Sequence, residues 1–209
     1  MDKDLILIGG GGHCRSVIDA AVSAGMKIRG VLDMPERIGT MVSGYPVIGT
    51  DEDIPSFVKD CEFVITLGAI ENPVPRERLH ERVKEAGGTL ARVVASTAFV
   101  SPHAKIGEGS VVLHQAVVNS SAVVGDSVII NTGAIVEHDS EVGDYTHVST
   151  GAKINGACCV GRRCFIGSGA TLVQCTNVGD DVFVGAGSLV AKDALSAGSY
   201  IGYPARKVK

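Results

Sequence analysis

From Val94 to Val190 the chain places an aliphatic residue at every sixth position: Val94, Val100, Ile106, Val112, Val118, Val124, Ile130, Val136, Val142, Val148, Ile154, Val160, Ile166, Leu172, Val178, Val184 and Val190. A helix returns to the same face about every 3.6 residues and cannot hold a period of six on one side. From Val100 onward the residue two places before each aliphatic is nearly always small, as at Ala98, Ala104, Ser110, Ala116, Ala122, Ala134 and Ser140; Val128 and Val182 are the exceptions. Residues i and i+2 share one face of a strand, so each unit sends one small and one larger apolar side chain into a common interior. Gly107, Gly125, Gly143, Gly161 and Gly179 add a period of eighteen, three units per turn. Three short strands per turn, with turns stacked at about 4.8 Å, predict a three-sided parallel β-helix. The periodic glycines are expected at tight corners where φ turns positive.

The first ninety residues follow a different pattern. Leu5-Ile6-Leu7-Ile8 reads as a strand, Gly9-Gly10-Gly11-Gly12-His13 as a turn, and Ser16 to Val22 as a helix ending near Gly25. A second strand, Ile28 to Leu32, ends in Asp33, where a nucleotide fold offers an acid to a ribose or base. A third, Phe63 to Leu67, runs into Gly68. A dinucleotide fingerprint needs glycine at position 14, where Cys14 stands, and ninety residues are short for two mononucleotide halves. Residues 1–90 therefore read as an α/β, Rossmann-like domain for one nucleotide, whose glycine turn and helix N-terminus suit a diphosphate. Residues 91–209 form the all-β domain, and the short join predicts that the two are fixed together.

Composition narrows the partners. The chain has 209 residues, 45% of them hydrophobic, and a formal net charge of −4. That balance gives no general attraction to nucleic acid or anionic lipid, so a small-molecule partner is expected. No apolar stretch reaches the roughly 18 residues of a membrane span, and the opening Met1-Asp2-Lys3-Asp4 is no signal-peptide core, which predicts a cytoplasmic protein. Of the six cysteines, Cys158 and Cys164 fall at small inward positions, and Cys158-Cys159 is a poor metal spacing. Structural thiols and no metal are expected.

Two histidines stand apart from the repeat. His138 lies two places after Val136 and His147 one before Val148, outward or corner positions that the interior does not need. Their surroundings are Asn131-Thr132-Gly133-Ala134-Ile135-Val136-Glu137-His138-Asp139 and Asp144-Tyr145-Thr146-His147-Val148-Ser149. With the glycine turn at one end and Gly202-Tyr203-Pro204-Ala205 at the other, the whole chain resembles the hexapeptide-repeat acetyltransferases. The likeness is to the branch that includes the bacillosamine-pathway UDP-amino-sugar N-acetyltransferases and the sialic acid O-acetyltransferase-like proteins.

The resemblance implies a left-handed β-helix, a homotrimer, acetyl-CoA as co-substrate and a nucleotide-sugar acceptor, expected as a UDP-linked 4-amino-4,6-dideoxy sugar. It implies His138 as general base, oriented by Asp139. It sets Asn131, His147, Gly156, Ser168 and Ala186 against acetyl-CoA, with the Gly156 N–H as oxyanion donor. Gly11, Gly12, His13, Asp33, Gly68 and Glu71 fall against the nucleotide-sugar. Many relatives have Glu where Asp139 stands, a second acid at Met34, and Gly-Asn-Asn where this chain has Gly68-Ala69-Ile70. Acetylation of a sugar hydroxyl and a non-catalytic nucleotide-sugar scaffold are the alternatives.

The chemistry agrees with this assignment. An amine attacking a thioester must lose a proton, and an unperturbed imidazole, titrating at about 6.5, can take it at neutral pH. No covalent enzyme intermediate is needed. The protein has to align two substrates and stabilise the oxyanion.

Overall fold

The computed structural model describes residues 3–70 and 72–209. In the first domain β1 (Asp4–Ile8), β2 (Ile28–Leu32), β3 (Met41–Val42), β4 (Tyr45–Gly49) and β5 (Cys61–Ile65) form one sheet in the order β3-β4-β2-β1-β5. All neighbours are parallel except the β3–β4 hairpin. Helices α1 (Gly12–Ser23), α2 (Ile54–Phe57) and α3 (Val74–Glu85) complete it. Among the described residues no helix is long and apolar enough to cross a membrane.

From Val93 onward the chain winds into a three-faced parallel β-helix. Its first face carries Val93–Val94, Val111–Val112, Ile129–Ile130, His147–Val148, Phe165–Ile166 and Val182–Val184. The second runs from Phe99–Val100 through Val117–Val118, Ile135–Val136, Lys153–Ile154 and Thr171–Leu172 to Leu189–Val190. The third holds Lys105–Ile106, Val123–Val124, Glu141–Val142, Cys159–Val160 and Asn177–Val178. The six-residue register holds throughout: the aliphatics and the small residues two places earlier fill one interior. Inward polar side chains tie coil to coil. Thr146 Oγ1 donates to Gly161 O at 2.8 Å and accepts from Cys164 N at 3.0 Å, and the Cys164 thiol reaches Gly179 O at 3.0 Å.

The corners correct one expectation. Gly107, Gly125, Gly143, Gly161 and Gly179 do not have positive φ; the left-handed residues lie two places further on, for example Ser127, Tyr145, Arg163 and Asp181. The periodic glycines answer a spatial demand instead. A Cβ at Gly107 would lie 2.3 Å from the Gly125 carbonyl group, and one at Gly161 would lie 2.4 Å from Asp180 Oδ1. Here successive coils stack at backbone contact, and a corner aspartate caps the coil before it: Asp144 Oδ1 accepts from Asp126 N at 2.9 Å, and Asp180 Oδ1 from Arg162 N at 2.8 Å.

The two domains share a core. Outward side chains Val93, Val111 and Ile129 of the first face pack with Val17, Ile18 and Ala21 of α1, which in turn covers Leu5, Leu7 and Val64 of the sheet. Each such buried aliphatic contributes about 2 kcal/mol relative to exposure. The opposite side of the sheet packs Ile6, Phe63 and Ile65 against Leu79 and Val83 of α3.

Candidate active site

The strand order brings the chain back across β1 between β2 and β5, and ligands of open α/β sheets bind at such a switch point, outside the carboxyl ends of the strands. A cavity of about 400 Å³ lies there, lined by Gly9, Asp33, Met34, Thr50, Asp51, Glu52 and Leu67 among others. Asp33 is held from three sides. Its Oδ2 accepts from Gly10 N at 3.1 Å and pairs with Arg37, and its Oδ1 accepts from Met34 N at 2.9 Å. Gly10 permits this approach, since a Cβ there would sit 2.5 Å from Asp33 Oδ2. Gly11 is the N-cap of α1, and a Cβ at Gly11, Gly12 or Gly68 would meet nothing within 4 Å, so these backbones are open to a ligand. Glu71 lies outside the described residues.

His13, in the first turn of α1, faces the prism. Its ring lies 6.4 Å from that of His147, centroid to centroid. His147 is outward in register, as expected, but it is not free: it is only 5% exposed, because the first domain covers this face. Its Nδ1 donates to Ala69 O at 3.0 Å. Its Nε2 accepts from Asn131 Nδ2 at 3.1 Å, while Asn131 Oδ1 accepts from Thr132 N at 2.7 Å and so fixes which way the amide points. These contacts define a neutral imidazole protonated at Nδ1. Burial, with the Arg76 guanidinium adding to it, lowers the His147 pKa to about 4. Burial also lowers that of His13 to about 3, with Arg76 and His147 adding to the effect. The His13 Nε2 is buried and without a partner among the described residues.

His138 occupies a different place, the corner between the second and third faces. Its side chain and that of Asp139 are each 62% exposed, and Asp139 Oδ2 accepts from His138 Nδ1 at 2.8 Å. That bond leaves the His138 Nε2 lone pair outward. Asp139 has φ 59°, as do its column neighbours Ser121, Ala157 and Cys175 within a few degrees, and Asp tolerates that region better than most residues. Gly156 lies one coil along, and a Cβ there would come within 2.8 Å of the His138 ring. No acceptor among the described residues takes the Gly156 N–H.

Comparison with known proteins fits this arrangement. The family described as PglD N-terminal domain matches residues 4–83. The acetyltransferase domain of PglB from Neisseria gonorrhoeae FA1090, solved in complex with acetyl coenzyme A, is 33% identical, with 100% of each chain covered and a TM-score of 0.92. This chain belongs to the hexapeptide-repeat sugar acetyltransferases. PerB from Caulobacter crescentus, solved in complex with CoA and GDP-perosamine, is 31% identical over 99% of this chain and 97% of its own, also with a TM-score of 0.92. The uncharacterized protein L142 of Acanthamoeba polyphaga mimivirus is 28% identical over 108 residues, and the chain spans 20% of the length of that curated relative.

In this acetyltransferase fold a single chain brings together only part of the set read from the sequence. His13, Asn131 and His147 form one cluster; His138, Asp139 and Gly156 form another on a separate corner. Ser168 and Ala186 are exposed on the corner between the first and second faces, where Ser168 Oγ lies 2.9 Å from Ser149 Oγ. Two contributors escaped the sequence reading. Ala69 acts through its carbonyl, which no residue type announces. Arg76 is fully buried, and its signal was the helical spacing Arg76, Leu79, His80, Val83, which places a charge within the buried stripe of α3.

Among the described residues one group of possible metal ligands stands apart from these clusters. His80, Glu108 and Asp126 lie close enough to share an ion, but Lys84 Nζ already occupies both Glu108 oxygens at 2.8 and 2.9 Å.

Proposed function

We propose that this chain transfers the acetyl group of acetyl-CoA to the amine of a nucleotide-linked 4-amino-4,6-dideoxy sugar. The first domain, residues 1–90, holds the nucleotide and the β-helix, residues 91–209, does the acyl chemistry. The observation that carries this reading is the His138–Asp139 pair: one ring nitrogen is held by a carboxylate and the other is presented at an open corner above Gly156.

The amine attacks the thioester carbon, forming the C–N bond, and His138 Nε2 accepts the proton the nitrogen sheds. The tetrahedral oxyanion takes a hydrogen bond from the Gly156 N–H, and collapse breaks the C–S bond. The leaving thiolate takes the proton back from His138, so the products are the amide and free CoA. Asn131, His147, Ser168 and Ala186 are assigned to the acetyl-CoA path. Gly11, Gly12, His13, Asp33, Gly68 and Glu71 are assigned to the nucleotide-sugar.

The separation of the two clusters on one protomer supports a homotrimer in which the His138 corner of one subunit meets the His13–His147 cleft of the next. Four of the six outward residues of the second face are apolar, Phe99 (55% exposed), Val117, Ile135 and Leu189, with Lys153 and Thr171 between Ile135 and Leu189.

Thiol release from acetyl-CoA is the test, with acceptors varied one feature at a time. UDP-linked amino sugars are offered first, GDP-linked ones beside them because PerB was solved with GDP-perosamine, then hydroxyl sugars and unactivated amino sugars. Transfer to the nucleotide-linked amine alone supports the proposal. Preference for a hydroxyl would convert it to O-acetylation, and equal use of free sugar would overturn the nucleotide assignment.

A further inference from the structure

Arg76 shows no exposed surface, yet it carries a charge that is costly to remove from water. A neutral side chain would be easier to bury, so its retention calls for a geometric reason. The guanidinium fork supplies one. Nη1 donates to Ile65 O at 2.8 Å and Leu67 O at 2.7 Å, and Nη2 donates to Ser127 O at 2.9 Å. The first carbonyl ends β5, the second lies two residues beyond it, and the third belongs to a left-handed corner of the prism. The two Nη groups of the rigid planar fork make such a three-carbonyl clasp, while Nε is buried without a partner among the described residues, and a lysine ammonium could not span the clasp in the same way.

What the clasp holds is the start of a short path to the buried histidine. Two residues beyond Leu67, Ala69 O accepts from His147 Nδ1, and His147 Nε2 faces Asn131. We propose that Arg76 is a positioning residue for this cleft: by locking the end of β5 to the Ser127 corner it seats Ala69 O against His147 and selects the Nδ1-protonated ring. This rests on the reading of the cleft given above. Loss of the clasp frees the 67–70 segment to shift, and a displacement of about 1 Å in a reacting assembly is worth on the order of a hundredfold in rate.

The test compares full-length Arg76→Met and Arg76→Lys with His80→Ala. His80 is another link from α3 to the same corner, its Nδ1 lying 2.8 Å from Ser127 Oγ, and its ion pair goes to Glu108 of the prism. Ring ¹⁵N spectra at neutral pH should show His147 protonated at Nδ1 alone in the unmodified chain and in His80→Ala, and both tautomers in Arg76→Met. Turnover of Arg76→Met should fall on the order of tenfold to a hundredfold, with partial recovery in Arg76→Lys. His80→Ala should lose melting temperature without losing turnover. Unchanged tautomer and turnover in a folded Arg76 variant overturns the proposal. If Arg76→Met fails to fold, Arg76→Lys decides. Absence of acetyl transfer by the unmodified chain would overturn the functional reading instead, and the ¹⁵N spectra would still judge Arg76.

Discussion

His138 and His147 are nine residues apart on the same repeating backbone, each with one ring nitrogen committed to a single acceptor, and the surroundings of the two are opposite. His138 sits on a bare corner with a carboxylate beside it, while His147 lies beneath another domain, held by a carbonyl and an amide. The β-helix supplies regular places for side chains; the covering layer decides what a side chain can do there. An exposed imidazole that keeps one lone pair outward can exchange a proton with substrates that come and go. A buried one with both nitrogens engaged keeps a fixed donor–acceptor pattern, which suits recognition better than proton transfer.

The largest expected effect tests the exposed member. His138→Ala should lower turnover at least about a hundredfold while acetyl-CoA affinity, measured by calorimetry, stays close to that of the unmodified chain. Turnover within tenfold of normal would mean that the proton is taken elsewhere.

The buried member should show itself in stability rather than rate. Its folded pKa of about 4 lies below the unfolded value of about 6.5, so across that window the unfolded chain binds more protons. Stability is therefore complete above about pH 6.5 and is lost as pH falls toward about 4. His13, lowered to about 3, adds to the same loss. Melting curves between pH 7 and pH 4.5 should flatten in His147→Gln by about 2 kcal/mol, a few degrees in Tm, relative to the unmodified chain. His138→Ala should leave the slope alone. Equal slopes in all three would mean that His147 is not shielded as described.

Two glycines sharpen the same contrast. Gly156→Ala places a methyl nearest to the His138 ring, a side chain that can shift, so it should lower turnover about tenfold with Tm nearly unchanged. Gly107→Ala drives a methyl into the Gly125 carbonyl group, and should cost about 1–3 kcal/mol of stability with little direct effect on chemistry. Rate and Tm measured on both variants would expose any reversal.

The difference between these positions also marks how far the sequence could be read. The period of six defined the interior, the faces and the open corner of His138, because inward and outward alternate by local geometry alone. It also put Gly156 one coil from His138, since eighteen residues make one turn. Whether an outward residue meets water is a non-local fact, and so His147 read as free until α1 and the Ala69 loop were in place. The periodic glycines were legible as a pattern but not as a cause, because coil-to-coil distance at one corner is a property of the stacked backbone. Arg76 was least legible. Its partners are carbonyls 9, 11 and 51 residues away, and carbonyls leave no trace in residue type.

The smallest effect is expected at Asp139. An exposed contact between an imidazole and a carboxylate contributes little free energy, so the role left to Asp139 is to accept from Nδ1 and keep Nε2, the proposed base, free of a proton. Asn can accept through Oδ1 from the same left-handed backbone, which it tolerates as well as Asp does. Asp139→Asn should therefore lose only a few-fold in turnover, well short of the roughly hundredfold expected for a lost base. Asp139→Gly keeps the backbone and removes the acceptor, so it should lose more than Asn. A loss in Asp139→Asn as large as in His138→Ala would show that the negative charge itself takes part, beyond the orienting hydrogen bond to Nδ1.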